Sequence, residues 1–435
     1  KMITNGDTTI KPAQASAADV IGALGKLRFF QPDANICESR PGALGQTGGE
    51  NTRRRARFDQ DCAFTPQVAF RGSTPGAKAG PYLSQFLLVG TGDNIREGLI
   101  GYGANVIDQR VATFEAGRDY MTDFNSWLDV QLGADVGKQQ SPANPRFMVT
   151  PRDLASYVRI DQLYQAYLNA ALILTAQGLS FDNGLPDGNI SITRAPFATF
   201  GGPHLLALLT EVSSRGLKTV RRQKFNFHRR GRPERLGAMV DKVGNGDVGR
   251  FTPNITTPLA QMYRDLANTG LTNWIEAHNK QQLTLPHPLT NIGGGGDRSL
   301  LLPMAFIEGS PMHPAYGAGH ATVAGACVTV LKAFFQMYED GKDNWTELDM
   351  SKVGLGTVLE PNIAMAGNTI DQAKSGESLE DSADQTPLKI QGELDKLAAN
   401  ISIGRDMAGV HFYTDYYESV RLGERVTVTI LEEQM

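Results

Sequence analysis

Cysteine is scarce in this chain, three in 435 residues, which is too few for a disulfide framework. Cys37 and Cys62 stand in polar, Gly- and Arg-rich surroundings. The sequence leaves open whether they pair within the chain, between chains or not at all. Cys327 sits in an apolar run of small residues and reads as a buried thiol. No apolar stretch reaches the length of a membrane-spanning helix, so no span is expected. No signal-type apolar core follows Lys1, and the compartment is left open. An excess of one charge is missing as well. Lys and Arg number 42 against 46 Asp and Glu, a formal net charge of −4, so the chain as a whole carries no nucleic-acid footprint. No internal repeat stands out. The run Gly293-Gly294-Gly295-Gly296 has no Lys-Ser/Thr after it and is no phosphate loop; a surface turn is expected there.

Hydrophobic residues make up 41% of the chain, enough for a sizeable core in one large domain or two. The reading is mostly helical with few strands. Thr150-Pro151-Arg152-Asp153 is a helix start, with Thr as N-cap, Pro in the first turn and an acid behind it. Apolar residues at helical spacing from Leu154 to Leu172 predict one long helix ending at Gly178. A second helix is predicted from Pro203 to about Asn226, a third from Thr257-Pro258 to Gly270, and a fourth from Thr386-Pro387. A weaker helical pattern covers Tyr120 to Leu132. The alternation of Val426, Val428 and Ile430 suggests a short strand. Residues 341–386 are polar and read as an excursion from the core. The loop Phe181 to Asn189, with Asp182, Asn183, Asp187 and Asn189, could hold a hard cation such as calcium through oxygen ligands, although it lacks an EF-hand pattern. A plain Asx-rich loop is the simpler reading. The cluster Arg53-Arg54-Arg55-Ala56-Arg57 reads as a solvated face or a subunit contact.

Three segments carry chemistry. The first runs from Lys218 to Arg232, with eight basic side chains in a chain of small net charge; that local excess calls for an anion or an acidic partner. The second is Pro311-Met312-His313-Pro314-Ala315-Tyr316-Gly317-Ala318-Gly319-His320, two of the seven histidines on one Pro/Gly-framed turn. The helix that follows would aim free N–H groups back at this turn, a setting that suits an oxyanion. The plainer reading is a Gly-rich turn with a structural histidine. The third is Gly404-Arg405-Asp406-Met407-Ala408-Gly409-Val410-His411, followed by Asp415. Together they offer Lys224, Arg232 and Arg405 as cations, the Gly319 N–H, and the imidazoles of His313, His320 and His411 around an oxyanion with several negative oxygens.

In order and spacing, Lys224 with Arg232-Pro233, then Ala318-Gly319-His320, then Arg405 with His411 and Asp415 resemble the vanadium-dependent haloperoxidases and the related acid phosphatases. The surroundings Phe200-Gly201-Gly202-Pro203-His204 and His313-Pro314 look like the red-algal and cyanobacterial bromoperoxidase branch. The resemblance implies a mainly α fold with a helical-bundle core of the vanadium haloperoxidase/acid phosphatase type and few short strands. Residues 150–435 would form the vanadate-binding core. Residues 1–149 would form a helical and loop part packed on it and engaged in subunit contacts, the whole expected as one domain. It implies a vanadate cofactor, hydrogen peroxide and bromide as substrates, small organic acceptors and a homo-oligomer of up to twelve copies. His411 would be the metal ligand. Lys224, Arg232, Arg405 and Gly319 would hold the oxygens, with His320, His313 and Lys224 catalytic and Arg221 near the halide entry. A phosphomonoesterase with a phosphohistidine at His411 is the alternative from the same architecture. An assembly or anion-storage protein is the alternative from another class. Two residues depart from the family pattern, Ala318 and Gly404, where serines are usual.

Overall fold

In the computed structural model, residues 17–33, 36–37, 57–59, 61–73, 76–115, 117–137, 144–185, 196–249, 251–282, 299–340, 345–367, 369–371 and 373–434 are described. Their α-helices are α1 (Ala17–Leu24), α2 (Pro66–Arg71), α3 (Phe124–Gln131), α4 (Pro151–Ile160), α5 (Gln165–Ala176), α6 (Gly202–Arg222), α7 (Pro233–Gly244), α8 (Pro253–Thr269), α9 (Leu271–Asn279), α10 (Gly319–Phe334), α11 (Ile390–Met407) and α12 (Tyr413–Gln434). Strands among the described residues occur only as short antiparallel pairs: β1 (Leu99–Tyr102) with β2 (Asn105–Asp108), β3 (Tyr338–Asp340) with β4 (Trp345–Glu347), β5 (Leu359–Pro361) with β8 (Leu379–Asp381), and β6 (Met365–Ala366) with β7 (Thr369–Ile370).

Helix α10 is the axis of the bundle, and α12, α6 and α11 pack around it. Its composition explains why. Ala321, Ala324, Gly325 and Ala326 are small, and eleven of its residues are buried, Cys327 among them. A Cβ at Gly325 would collide with the Val420 carbonyl, and one at Gly423 with the Thr322 carbonyl, so α10 and α12 touch backbone to backbone. The same core takes in Phe86, Leu87 and Phe147 from the N-terminal part. The polar stretch 341–386 does more than wander: Leu348, Met350, Val353, Leu355, Val358 and Leu379 all enter this core.

Several helix boundaries differ from the sequence expectation. The long helix after Thr150 is two helices. Thr150 caps α4 as expected and forms a capping box with Asp153, but α4 ends at Asp161 with extended backbone, and α5 starts at Gln165. The third helix starts earlier, capped at Thr252-Pro253, and Pro258 sits inside it at the loss of one backbone hydrogen bond. The fourth starts later because Met350 N–H bonds the Leu388 carbonyl and Ile390 N–H bonds the Leu348 carbonyl, which holds the residues after Thr386 extended up to α11. The strand expected at Val426 to Ile430 is the end of α12. There, Ser419, Gly423, Thr427 and Ile430 are buried at helical spacing, and β-branched alternation misled.

Cys37 and Cys62 form a disulfide, S–S 2.03 Å. Arg57 is buried with its guanidinium 3.2 Å above the Phe29 ring; Arg53 to Arg55 lie outside the described residues, as do Asp187, Asn189 and Gly293 to Gly296. In the calcium candidate loop, the Asp182 carboxylate accepts from the Gly184 N–H, an ordinary Asx turn. Among the described residues no group of three or more metal-ligating side chains forms.

Gly404 has a packing reason. A Cβ there would sit 3.1 Å from Leu154 Cγ and 3.2 Å from Val158 Cγ2, where α11 crosses α4. We therefore expect Gly404→Ser to destabilise the fold by about 1–3 kcal/mol through overpacking, read as a lower melting temperature; an unchanged melt would mean that α4 yields freely.

Candidate active site

Lys224 owes its position to the stripe on α6. Leu205, Leu208, Leu209, Val212 and Val220 are buried, and Lys224 lies one helical turn beyond Val220 on the same face. The helix widens into a π turn over Gln223–His228, which Arg229 ends in the left-handed conformation. Lys224 is 1% exposed, while its neighbours Phe225 and Phe227 face outward. Its ammonium donates to the Pro314 carbonyl at 2.9 Å and meets His313 Nδ1 at 3.1 Å.

Arg232 caps α7, with Pro233 as the first helical residue. Its fork spans three segments. Nε donates to the His313 carbonyl at 2.8 Å, Nη2 meets His313 Nδ1 at 2.9 Å, and Nη1 reaches both the Val410 carbonyl at 2.8 Å and His411 Nε2 at 3.1 Å. Two cationic donors converge on His313 Nδ1, so this nitrogen is the unprotonated one. The Nδ1 contacts of His313 are thus with Lys224 and Arg232.

His411 is oriented from the other side. Its Nδ1 lies 3.0 Å from Asp415 Oδ2, and Asp415 also accepts from the Phe412 N–H and from Arg230 Nη1. A carboxylate on Nδ1 keeps the ring proton there and leaves Nε2 as a lone pair. Arg405, on the last turns of α11, donates Nη1 to the Val158 carbonyl at 2.9 Å. Its Nε is buried with no hydrogen-bond partner. His320, in the first turn of α10, has Nε2 2.9 Å from Asp161 Oδ1. Gly319 opens that helix, and the first-turn N–H groups have no intrahelical acceptor. Ala318 is the N-cap, and its N–H donates to Ser419 Oγ at 2.8 Å. A hydroxyl from α12 therefore reaches the turn that lacks a serine of its own.

The electrostatics are unusual. Lys224, Arg232 and Arg405 are all buried, and their nearest partners are carbonyls and neutral imidazoles. Burial, then Arg232, lowers the Lys224 ammonium to about 7. Burial brings Arg232 and Arg405 down to about 10. His313 falls to about 4, by burial and then by Lys224 and Arg232. His411 is pushed well below the ordinary histidine range by burial and the same cations. For His320 burial also lowers the value, with Asp161 pulling it back up. Burial leads every one of these shifts and disfavours charge of either sign, as it also does at Asp415; the mutual repulsion of Lys224, Arg232 and Arg405 is the part that a bound anion would relieve.

The structure thus brings Lys224, Arg232, His313 and His411 into direct contact, with Arg405, His320 and Gly319 contributed by α11 and the start of α10. Arg221 is not part of that contact set. It lines an open cleft of about 850 Å³ between the end of α6 and α12, with Lys218, Arg222, Phe225 and Ile430. Its charge still reaches Lys224 and His313. Asp161 is the participant that sequence reasoning missed. The unbroken apolar stripe hid the gap between α4 and α5 in which it sits. We expect Asp161→Asn to remove the charge that holds the His320 value up, so His320 protonates at lower pH than in the parent. If neutral His320 is the active form, the acid limb of a pH–rate profile moves to lower pH; an unmoved limb would make Asp161 a packing residue.

No family model matches the chain. It is 40% identical over 417 residues to a vanadium-dependent bromoperoxidase of Corallina pilulifera and 40% identical over 416 residues to that of Corallina officinalis, in each case covering 91% of this chain and 62% of the relative. A vanadium-dependent bromoperoxidase of Ascophyllum nodosum is 30% identical over 371 residues, covering 84% of this chain and 57% of the relative. The chain thus spans less than two thirds of the length of these relatives. A homohexameric vanadate-dependent bromoperoxidase structure from Ascophyllum nodosum superposes with a TM-score of 0.62 at 24% identity, over 98% of this chain and 67% of that one, and shows the fold.

Proposed function

We propose that this chain, a homologue of the vanadium-dependent bromoperoxidases, binds vanadate in the cluster around Lys224 and His411. There it would oxidise bromide, and iodide, with hydrogen peroxide to hypohalous acid, which halogenates small organic molecules. The observation that carries this reading is the buried set of three cations whose partners are neutral, with the Arg405 Nε donor left without any. An oxyanion with several charged oxygens suits that donor set.

Lys224, Arg232, Arg405 and the Gly319 N–H would hold the oxygens of vanadate. His411 would be its ligand through Nε2, the nitrogen that Asp415 keeps unprotonated. Bound vanadate supplies a Lewis-acidic centre that activates peroxide toward halide without changing oxidation state. The chain's own residues do the rest. His320, with Nε2 engaged by Asp161, has Nδ1 as its basic nitrogen and would take the proton that peroxide gives up. Lys224 would stabilise negative charge where it develops, and His313, neutral at its depressed value, would fix both Lys224 and Arg232. Arg221, outside the contact set, would raise local anion concentration at the approach.

Residues 1–149 and 150–435 are read as one domain, since Phe86 and Phe147 enter the α10 core. Self-association is part of the proposal, with up to twelve copies suggested by the resemblance; mass measurement in solution reads the number. Among the described residues no helix is long and apolar enough to cross a membrane. The phosphomonoesterase alternative is not favoured, because the relatives above are bromoperoxidases.

The test is to add orthovanadate to metal-stripped protein and follow bromination of a phenol dye with peroxide and bromide, beside phosphate release from an aryl phosphate. Vanadate-dependent bromination is expected. Phosphate release without bromination would restore the phosphatase reading, and neither activity would leave an assembly or anion-storage role.

A further inference from the structure

We infer that Met312 is the point at which this protein is modified by its own product, its thioether becoming the sulfoxide during turnover. The inference rests on the proposed bromide oxidation. Met312 lies on the active-site turn, directly before His313, whose ring meets Lys224 and Arg232. The His313 N–H bonds the Pro311 carbonyl at 2.7 Å, a tight turn around Met312. While the His313 ring faces inward, the Met312 side chain stands fully in solvent, 103% exposed. Consecutive Cα atoms are about 3.8 Å apart, so this solvent-exposed side chain is anchored one residue from the cluster.

The other sulfur atoms show the contrast. Cys327 is buried, and burial pushes its thiol up, away from the reactive thiolate. Cys37 and Cys62 are joined. Met121, Met148, Met304, Met337 and Met350 are buried, Met239 and Met407 are half-buried, and Met2 and Met435 lie outside the described residues. Met365 and Met262 are exposed to 56% and 39%, but they lie on the β6–β7 hairpin and on α8, elements that contribute no residue to the site. A free thioether on the surface is oxidised readily and reversibly.

The reaction balances with the product alone. The sulfur lone pair attacks bromine of hypobromous acid, the O–Br bond breaks, and water then displaces bromide at sulfur. The net change is one thioether and one hypobromous acid to one sulfoxide, one proton and one bromide. Sulfur loses two electrons, bromine gains them, and bromide returns to the pool.

The experiment uses the full chain loaded with orthovanadate, turning over bromide and peroxide without an organic acceptor, with oxidation at each methionine followed by peptide mass spectrometry. Parallel samples receive peroxide without bromide, or reagent hypobromous acid in place of turnover. During turnover Met312 is expected to gain one oxygen several-fold faster than Met365 or Met262, and methionine sulfoxide reductase should remove it. Reagent hypobromous acid should oxidise all three, with a much smaller preference. Met312 spared, or oxidised no faster than Met365, in a sample that brominates dye overturns this inference alone. Equal oxidation of Met312 by peroxide without bromide overturns it too. No dye bromination, with Met312 still reactive to the reagent, overturns the functional reading and this inference with it.

Discussion

His411→Ala is expected to abolish both orthovanadate binding and bromide oxidation, the largest effect of any single substitution in this chain. In the proposed function His411 is the one residue of the cluster whose role would need a bond to the metal and not only charge. Everything around it serves that nitrogen. Asp415 lies 3.0 Å from Nδ1, and burial with three nearby cations keeps the ring neutral. Arg232 Nη1 meets Nε2 at 3.1 Å, a contact a guanidinium can give up while keeping its bonds to the carbonyls of Val410 and His313. The alanine variant should fold, because the histidine's bonds are to Asp415 and Arg232, and Asp415 retains the Phe412 N–H and Arg230. Equilibrium dialysis with orthovanadate and a dye-bromination assay read the two losses. Binding as tight as the parent's would remove His411 from the ligand position.

How much of this was legible in the sequence differs from residue to residue. Lys224, Arg232 and His411 were singled out by the order and spacing of short motifs that resemble one family: Lys224 ahead of Arg232-Pro233, and His411 four residues before Asp415, just ahead of α12. The helical content followed from periodicity, the bundle was implied by the resemblance, and the small-residue run around Cys327 read as buried, as it is in α10. The misses have one physical origin, interactions between segments far apart in sequence. Asp161 breaks an unbroken apolar stripe and finds His320 159 positions away. Thr386 and Pro387 look like a helix start, yet Leu348 and Met350 claim the backbone beyond them. Val426, Val428 and Ile430 alternate as a strand would, but the Gly423 contact with α10 makes them a helix. Gly404 reads as a lost hydroxyl until Leu154 and Val158 are seen pressed against it.

Lys224→Met is expected to weaken oxyanion binding by about 2–5 kcal/mol, the usual cost of truncating one partner of a buried charge pair, or roughly 30-fold and more in affinity. The pH dependence makes the test specific. Burial lowers Lys224 from 10.5 to about 7. The folded value is below the unfolded one, so the charged form is disfavoured by folding. That penalty is complete below about pH 7 and fades as pH rises from there toward the unfolded value. Without an anion, the methionine variant should therefore melt higher than the parent in mildly acidic buffer, with the gap closing as pH rises. A bound oxyanion reverses the balance, because it favours the ammonium and raises its value, so binding above about pH 7 takes up a proton. The parent's advantage over the variant in phosphate or orthovanadate affinity should thus be largest in mild acid and shrink as pH rises beyond 7. The anion's own ionisation is common to both proteins and cancels in the ratio. Thermal melts across pH, with and without inorganic phosphate, give both curves. A variant that melts lower than the parent in mild acid and binds phosphate equally well would show that Lys224 is held for packing and not for its charge.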